Sequence, residues 1–132
     1  MKNKSQSIYH LVPVSYYRSQ SQDHPYQPET FAQEGFIHCT AGTEMLVQVA
    51  NRYFNTLPEE LLVLEINPND LTAPLKFEPS IPPAGQPLTG REISPPNQDV
   101  LFPHIYGPLN RKAIIQCFAM QRDETGKWQI PN

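Results

Sequence analysis

The chain has 132 residues, of which 15 are proline, with 17% charged residues and a formal net charge of −3. That length suits a single domain, residues 1–132, able to bury a core, and the mildly acidic balance gives no electrostatic reason to expect a nucleic-acid partner. No apolar run approaches the roughly 20 residues that cross a bilayer, and Met1–Ser7 has basic residues with no apolar core behind them, so neither a membrane nor a signal peptide is expected and a cytoplasmic protein is.

Ser7 to Val14 reads as a first strand closed by Pro13, with Ile8, His10 and Val12 on one face and Tyr9 and Leu11 on the other. Both faces are largely apolar, which predicts a central strand. Ser15–Ser19 suits a turn of helix. Two prolines and several turn formers make 21–28 a loop containing His24. Pro28 can open a short helical turn that Gly35 stops. Glu34-Gly35-Phe36-Ile37-His38-Cys39-Thr40 then reads as a strand with Phe36, His38 and Thr40 on one face and Ile37 and Cys39 on the other.

Met45, Leu46, Val49, Ala50, Tyr53 and Phe54 recur at spacings of three and four, which predicts a helix from Thr43 to about Asn55 capped by Thr40 or Thr43. Asn51 and Arg52 fall off the apolar stripe and are expected in solvent. Leu61–Ile66 reads as a buried strand, Asn67–Asp70 as a turn and Leu75–Glu78 as a short strand. Residues 79–99 form a Pro-rich excursion without period. Phe102–Arg111 holds two prolines and should be an edge strand or a strand approach, with Phe102, His104 and Tyr106 pointing one way. Lys112–Gln121 is a strand, and Asp123–Gly126 turns it into a last strand over Lys127–Ile130. The class is α+β, with six or seven strands and one main helix.

Three of the four histidines lie in apolar, strand-like contexts. The chain has no His-x-His, His-x-x-x-His or Cys-x-x-Cys spacing, so no metal site is expected, although His10, His38 and His104 together remain geometrically able to form one. No Gly-x-Ser-x-Gly elbow or Gly-rich phosphate loop occurs. Cys39 and Cys117 sit in apolar runs and suit buried free thiols, with a disulfide left open. What the residues permit is a pocket of imidazoles and aromatics, His10, His38, Phe36, Tyr106 and His104, with Thr40 and Asn110 as hydrogen-bonding groups. Such a lining suits a sugar hydroxyl, a carboxamide or a flat heterocycle. Glu34, Glu65 and Glu78 are the nearby carboxylates. The competing reading makes the histidines core residues satisfied by main-chain carbonyls.

Ile8-Tyr9-His10, Glu34–Thr40, Val49-Ala50-Asn51, Leu62–Ile66 and Phe102–Leu109 together resemble the DUF952 family, from residue 8 to about residue 131. That family is similar in fold to the ADP-ribosyltransferase superfamily, and the resemblance implies a split antiparallel β core around a nicotinamide-dinucleotide cleft. It implies that His10 holds a ribose hydroxyl and the nicotinamide amide and that His38 packs on the nicotinamide ring, making these the catalytic candidates. Transferases of that superfold commonly add a glutamate from a later strand, whereas the matching region here, Phe102–Leu109, has His104 and Tyr106 and no acid. The resemblance therefore implies a protein that binds NAD, as substrate rather than resident cofactor, or an ADP-ribose-like nucleotide, and transfers an ADP-ribosyl or phosphoryl group. The alternative it leaves is a non-catalytic nucleotide-binding or interaction domain.

Overall fold

The computed structural model describes residues 7–79 and 101–131, so the expected excursion over 79–99 lies, Pro79 apart, outside the described residues. In chain order these residues form β1 (Ile8–Pro13), α1 (Val14–Ser19), α2 (Phe31–Glu34), β2 (Ile37–His38), β3 (Thr40–Ala41), α3 (Thr43–Tyr53), β4 (Leu61–Ile66), β5 (Leu75–Glu78), β6 (Phe102–Ile105), β7 (Ile114–Ala119), β8 (Gln121–Arg122) and β9 (Trp128–Gln129). The class is α+β, and every strand pairing is antiparallel.

Two sheets carry the architecture: β3-β1-β4-β7 and β2-β6-β5, with β8-β9 a small hairpin beside them. The alternation along β1 explains the layering. Its Ile8 and Val12, with Leu62, Leu64 and Ile66 of β4, pack against Ile37, Cys39 and Ile105 of the three-stranded sheet and against Tyr26 and Leu109. The opposite face carries Leu11, Leu61 and Val63 against Leu46 and Ala50 of α3, and against Met120 and Trp128. Leu46 is fully buried, a gain of about 2 kcal/mol over leaving it in water. A strand covered on both sides is central, as the apolar faces of β1 predict.

The third layer leaves one face outward. Ile37 and Ile105 point into the core, so His38 and His104, directly opposite each other in the β2–β6 ladder, point out, and Lys76 of β5 continues the row.

Several expectations are corrected here. The run through Thr40 is two strands, because the chain bends at Cys39. The Cys39 amide donates to the Pro103 carbonyl of one sheet while Thr40 pairs with Tyr9 in the other. The Phe102–Ile105 segment lies in the middle of its sheet. Pro103 is tolerated there because its nitrogen faces the same side as its carbonyl, toward Cys39, where the β2 ladder has ended and no amide donor is needed. Helix α3 begins after Gly42 at φ 92° with no side-chain cap, so neither Thr40 nor Thr43 caps it. Asn51 faces protein: its amide donates to the carbonyls of Val47 and Trp128 and its oxygen accepts from the Trp128 amide, pinning β9 to the helix. Cys39 is buried but Cys117 is exposed, and both thiols are free. Among the described residues no helix is long and apolar enough to cross a membrane.

Candidate functional site

The turn at Gly35 sets the first half of the site. Helix α2 lasts four residues and ends at Gly35 in the left-handed region, φ 82°, whose amide returns to the Phe31 carbonyl. A glycine takes that conformation without the cost a Cβ would impose. The reversal brings Glu34, at the end of the helix, back over His38, four residues on: His38 Nε2 donates to Glu34 Oε2 at 3.0 Å. Thr30 Oγ1 donates to Glu34 Oε1 at 2.8 Å and fixes that carboxylate in turn.

The second half comes from the β5–β6 pairing. His104 Nδ1 donates to Glu78 Oε1 at 2.7 Å, and the Tyr106 hydroxyl donates to the same oxygen at 2.7 Å. Glu78 Oε2 has no hydrogen-bond partner among the described residues. The hydrogen bonds from Tyr106 and then His104 hold the Glu78 carboxyl below the usual range. The same contact with Glu78 raises the Tyr106 phenol above its ordinary value. For His104 two effects oppose each other: burial lowers its pKa more than the Glu78 hydrogen bond raises it. His104 is therefore a neutral imidazole at pH 7, beside an ionised carboxylate.

Phe36 joins the halves. Its ring stacks on His104 with centroids 4.5 Å apart and planes 26° apart, meets His38 edge-on at 4.8 Å, and lies 5.3 Å from Tyr106. The two imidazoles are 5.5 Å apart. The Lys76 ammonium sits 4.8 Å over the Tyr106 ring, a cation–π contact. Access is uneven: the side chains of His38 and Glu78 are 24% and 29% exposed, that of His104 only 1%. An approaching molecule therefore meets His38, Glu78, Tyr106 and Lys76, with Phe36 and His104 as their backing.

Of the seven residues expected at a site, the structure gathers Phe36, His38, His104 and Tyr106. Thr40 is drawn into the other sheet by the bend at Cys39. Asn110 ties a loop, accepting from the Thr72 amide and donating to the Asp70 carbonyl. His10 is inside the protein, between the sheets, 5% exposed. Its Nδ1 donates to the His38 carbonyl at 2.7 Å and its Nε2 accepts from the Tyr26 hydroxyl at 2.9 Å. Burial lowers its pKa to about 4, against the smaller raising effect of that carbonyl. Both ring nitrogens are thus engaged, and His10 reaches the outer face only through the His38 main chain. Among the described residues no group of three or more His, Cys, Asp and Glu side chains could hold a metal ion.

Glu34, Glu65 and Glu78 were the carboxylates in view, and the structure separates them. Glu65 is elsewhere, bonded to Ser7 and Gln116. The Glu34–His38 pair has a local signal, a carboxylate four residues before a histidine with a glycine between. Glu78 has none, because the β5–β6 register brings it to His104.

The sequence model of a family described as "Protein of unknown function (DUF952)" matches residues 11–117. No curated protein matches the chain. Among solved structures the chain is similar to protein CC0527 from Caulobacter crescentus, at 21% identity and a TM-score of 0.69 over 93% of each chain. A double mutant of the same protein matches at 20% identity, the same TM-score and the same coverage. At that identity the likeness speaks for the fold.

Proposed function

Taking as premise that the chain belongs to the DUF952 family, we propose that it is an ADP-ribosyltransferase-like protein that takes NAD or an ADP-ribose-like nucleotide against the outer face of β2, β6 and β5 and transfers its ribosyl group. The observation that carries this reading is the state of Glu78. One oxygen is held by two donors at 2.7 Å, the other has no partner among the described residues, and the carboxyl is kept ionised. An anion fixed in that way suits the positive charge that develops at a ribosyl C1′ as its bond to the base breaks. It supplies the acid that the Phe102–Leu109 segment lacks, from the neighbouring strand.

The other side chains divide the remaining work. Tyr106 and His104 orient Glu78. His38, held through Nε2 on Glu34, is the imidazole placed to meet an incoming hydroxyl. Phe36 fixes the imidazole planes by packing. His10 acts by holding the His38 main chain, not by touching the ligand. Among the described residues Lys76 is the basic side chain seen in contact with the cluster, and on that footing ribosyl transfer fits better than phosphoryl transfer, which calls for several cations around the phosphate. Two free thiols suit a reducing compartment such as the cytoplasm.

The test is release of nicotinamide from NAD by the wild type, Glu78→Gln and His38→Ala, with thermal unfolding run in parallel. Loss of a transition-state-stabilising group costs about a hundredfold or more in rate. Folded Glu78→Gln protein with that loss supports the reading. Binding of NAD without turnover by the wild type makes this a non-catalytic nucleotide-binding domain, and no binding at all ends both.

A further inference from the structure

Thr30 stands where a threonine has a usual task and does something else. It is the residue just before α2, a position at which the hydroxyl ordinarily accepts from a free amide of the first turn. Here the side chain makes no capping bond, and a backbone at φ −92° and ψ 4° lies outside the extended region that a capping residue adopts. The hydroxyl turns instead to the far end of the same helix and donates to Glu34 Oε1 at 2.8 Å. The other oxygen of that carboxylate accepts from His38 Nε2 at 3.0 Å.

The two bonds have different consequences. The Glu34 side chain is 10% exposed and that of His38 24%, so the carboxylate is the covered partner and the ring is the one that meets solvent. The terminal torsion of a glutamate is broad. A bond on Oε1 stops the group turning and leaves Oε2 aimed at the ring. On their other side the imidazole atoms meet Phe36, edge-on at 4.8 Å, and His104 at 5.5 Å. A carboxylate only accepts, so the Nε2 proton lies on the Glu34 side whether the imidazole is neutral or charged.

We propose that Thr30 is a positioning residue for His38: its hydroxyl locks the Glu34 carboxylate, and the locked carboxylate sets the direction in which the imidazole faces the outer surface of β2, β6 and β5. What this says of rate rests on the ribosyl-transfer reading; what it says of the ring does not. The short helix forgoes a cap to supply the lock, and a local rule of folding that yields in this way is a mark of a functional position.

The experiment isotope-labels the histidine ring nitrogens and measures by NMR how fast each ring N–H proton exchanges with water. It compares the wild type, Thr30→Val, Thr30→Ser and Glu34→Gln. Thr30→Val keeps the branched shape and removes no capping bond, since there is none, while Thr30→Ser keeps the hydroxyl. The His38 proton is on Nε2 and those of His10 and His104 are on Nδ1, so the nitrogen type identifies the His38 signal and the other two report on the fold. The same proteins are assayed for nicotinamide release from NAD. The expected result is exchange at His38 Nε2 faster by about tenfold or more in Thr30→Val and Glu34→Gln, the equivalent of one hydrogen bond to a charged group. Thr30→Ser matches the wild type, and His10 and His104 are unmoved throughout. In Thr30→Val kcat falls by a similar factor with KM held, and Thr30→Ser keeps it. His38 exchange unchanged in Thr30→Val overturns the inference and leaves ribosyl transfer standing. Faster exchange at His10 together with His38 overturns it too, by showing a loosened fold. An unchanged kcat beside faster His38 exchange overturns what is said of rate. If the wild type releases no nicotinamide, ribosyl transfer falls, and the inference stands or falls by the His38 exchange alone.

Discussion

His10 meets His38 ring to main chain: its Nδ1 donates to the His38 carbonyl at 2.7 Å, and its Nε2 accepts from the Tyr26 hydroxyl at 2.9 Å. One buried imidazole therefore joins β1, the strand that carries the outer histidine, and the loop holding Tyr26, which is itself fully buried. Replacing it leaves a carbonyl and a hydroxyl without partners and a void between the sheets. His10→Ala is expected to cost about 2–4 kcal/mol, a melting temperature lower by roughly 10 °C. Calorimetry checks this. The same variant at a temperature where it is folded should still bind ligand, since the ring does not reach the outer face.

The same residue makes stability depend on pH. Unfolded, His10 takes up a proton near pH 6.5, whereas in the fold burial delays this to about pH 4. Between those values the unfolded chain binds the extra proton, so stability falls as pH falls. The contribution is whole above pH 6.5 and lost by about pH 4, roughly 3 kcal/mol in all. His104, whose pKa is also lowered, acts in the same sense. Denaturant midpoints measured from pH 7 to pH 4.5 should drop steeply in the wild type and less steeply in His10→Ala. Equal slopes would show that His10 is not buried neutral.

Tyr106 reports on Glu78. Its phenol is raised first by the hydrogen bond to that carboxylate, so Glu78→Gln should bring one of the six tyrosines to ionise at lower pH in an ultraviolet titration. Tyr106→Phe should remove that difference. An unchanged titration in Glu78→Gln would mean that the two side chains do not meet.

Gly107 lies against Ala73, and a Cβ built on it would come 2.7 Å from the Ala73 Cβ. Gly107→Ala must push apart the segment that follows Tyr106 and the approach to β5, at about 1–3 kcal/mol. Ala73→Gly in the same chain should return most of that loss, as a double-mutant cycle in chemical denaturation would show.

Which parts of this were legible in the sequence follows from what period two can and cannot say. Alternation placed Phe36 with His38, and Phe102 and His104 with Tyr106, because those segments are strands of one sheet. It also gave β1 two covered faces. It could not say which layer covers His10, since an apolar strand face looks the same toward a second sheet or toward a ligand cleft. Thr40 was misplaced because the bend at Cys39 moves the chain from one sheet to the other in a single residue. Asn51, off the helical stripe, was assigned to solvent for want of any local sign that β9 returns to it. Glu78 joins His104 through a register between strands 24 residues apart at nearest approach, Glu78 to Phe102, and no spacing rule reaches that far.

Histidine side-chain resonances, followed by NMR as NAD is added, test the central claim most directly. The outer face as the ligand site predicts saturable shifts of the His38 and His104 rings, with His10 unmoved between its two hydrogen bonds. Movement of His10 alone, or no movement of any histidine at millimolar NAD, would contradict it.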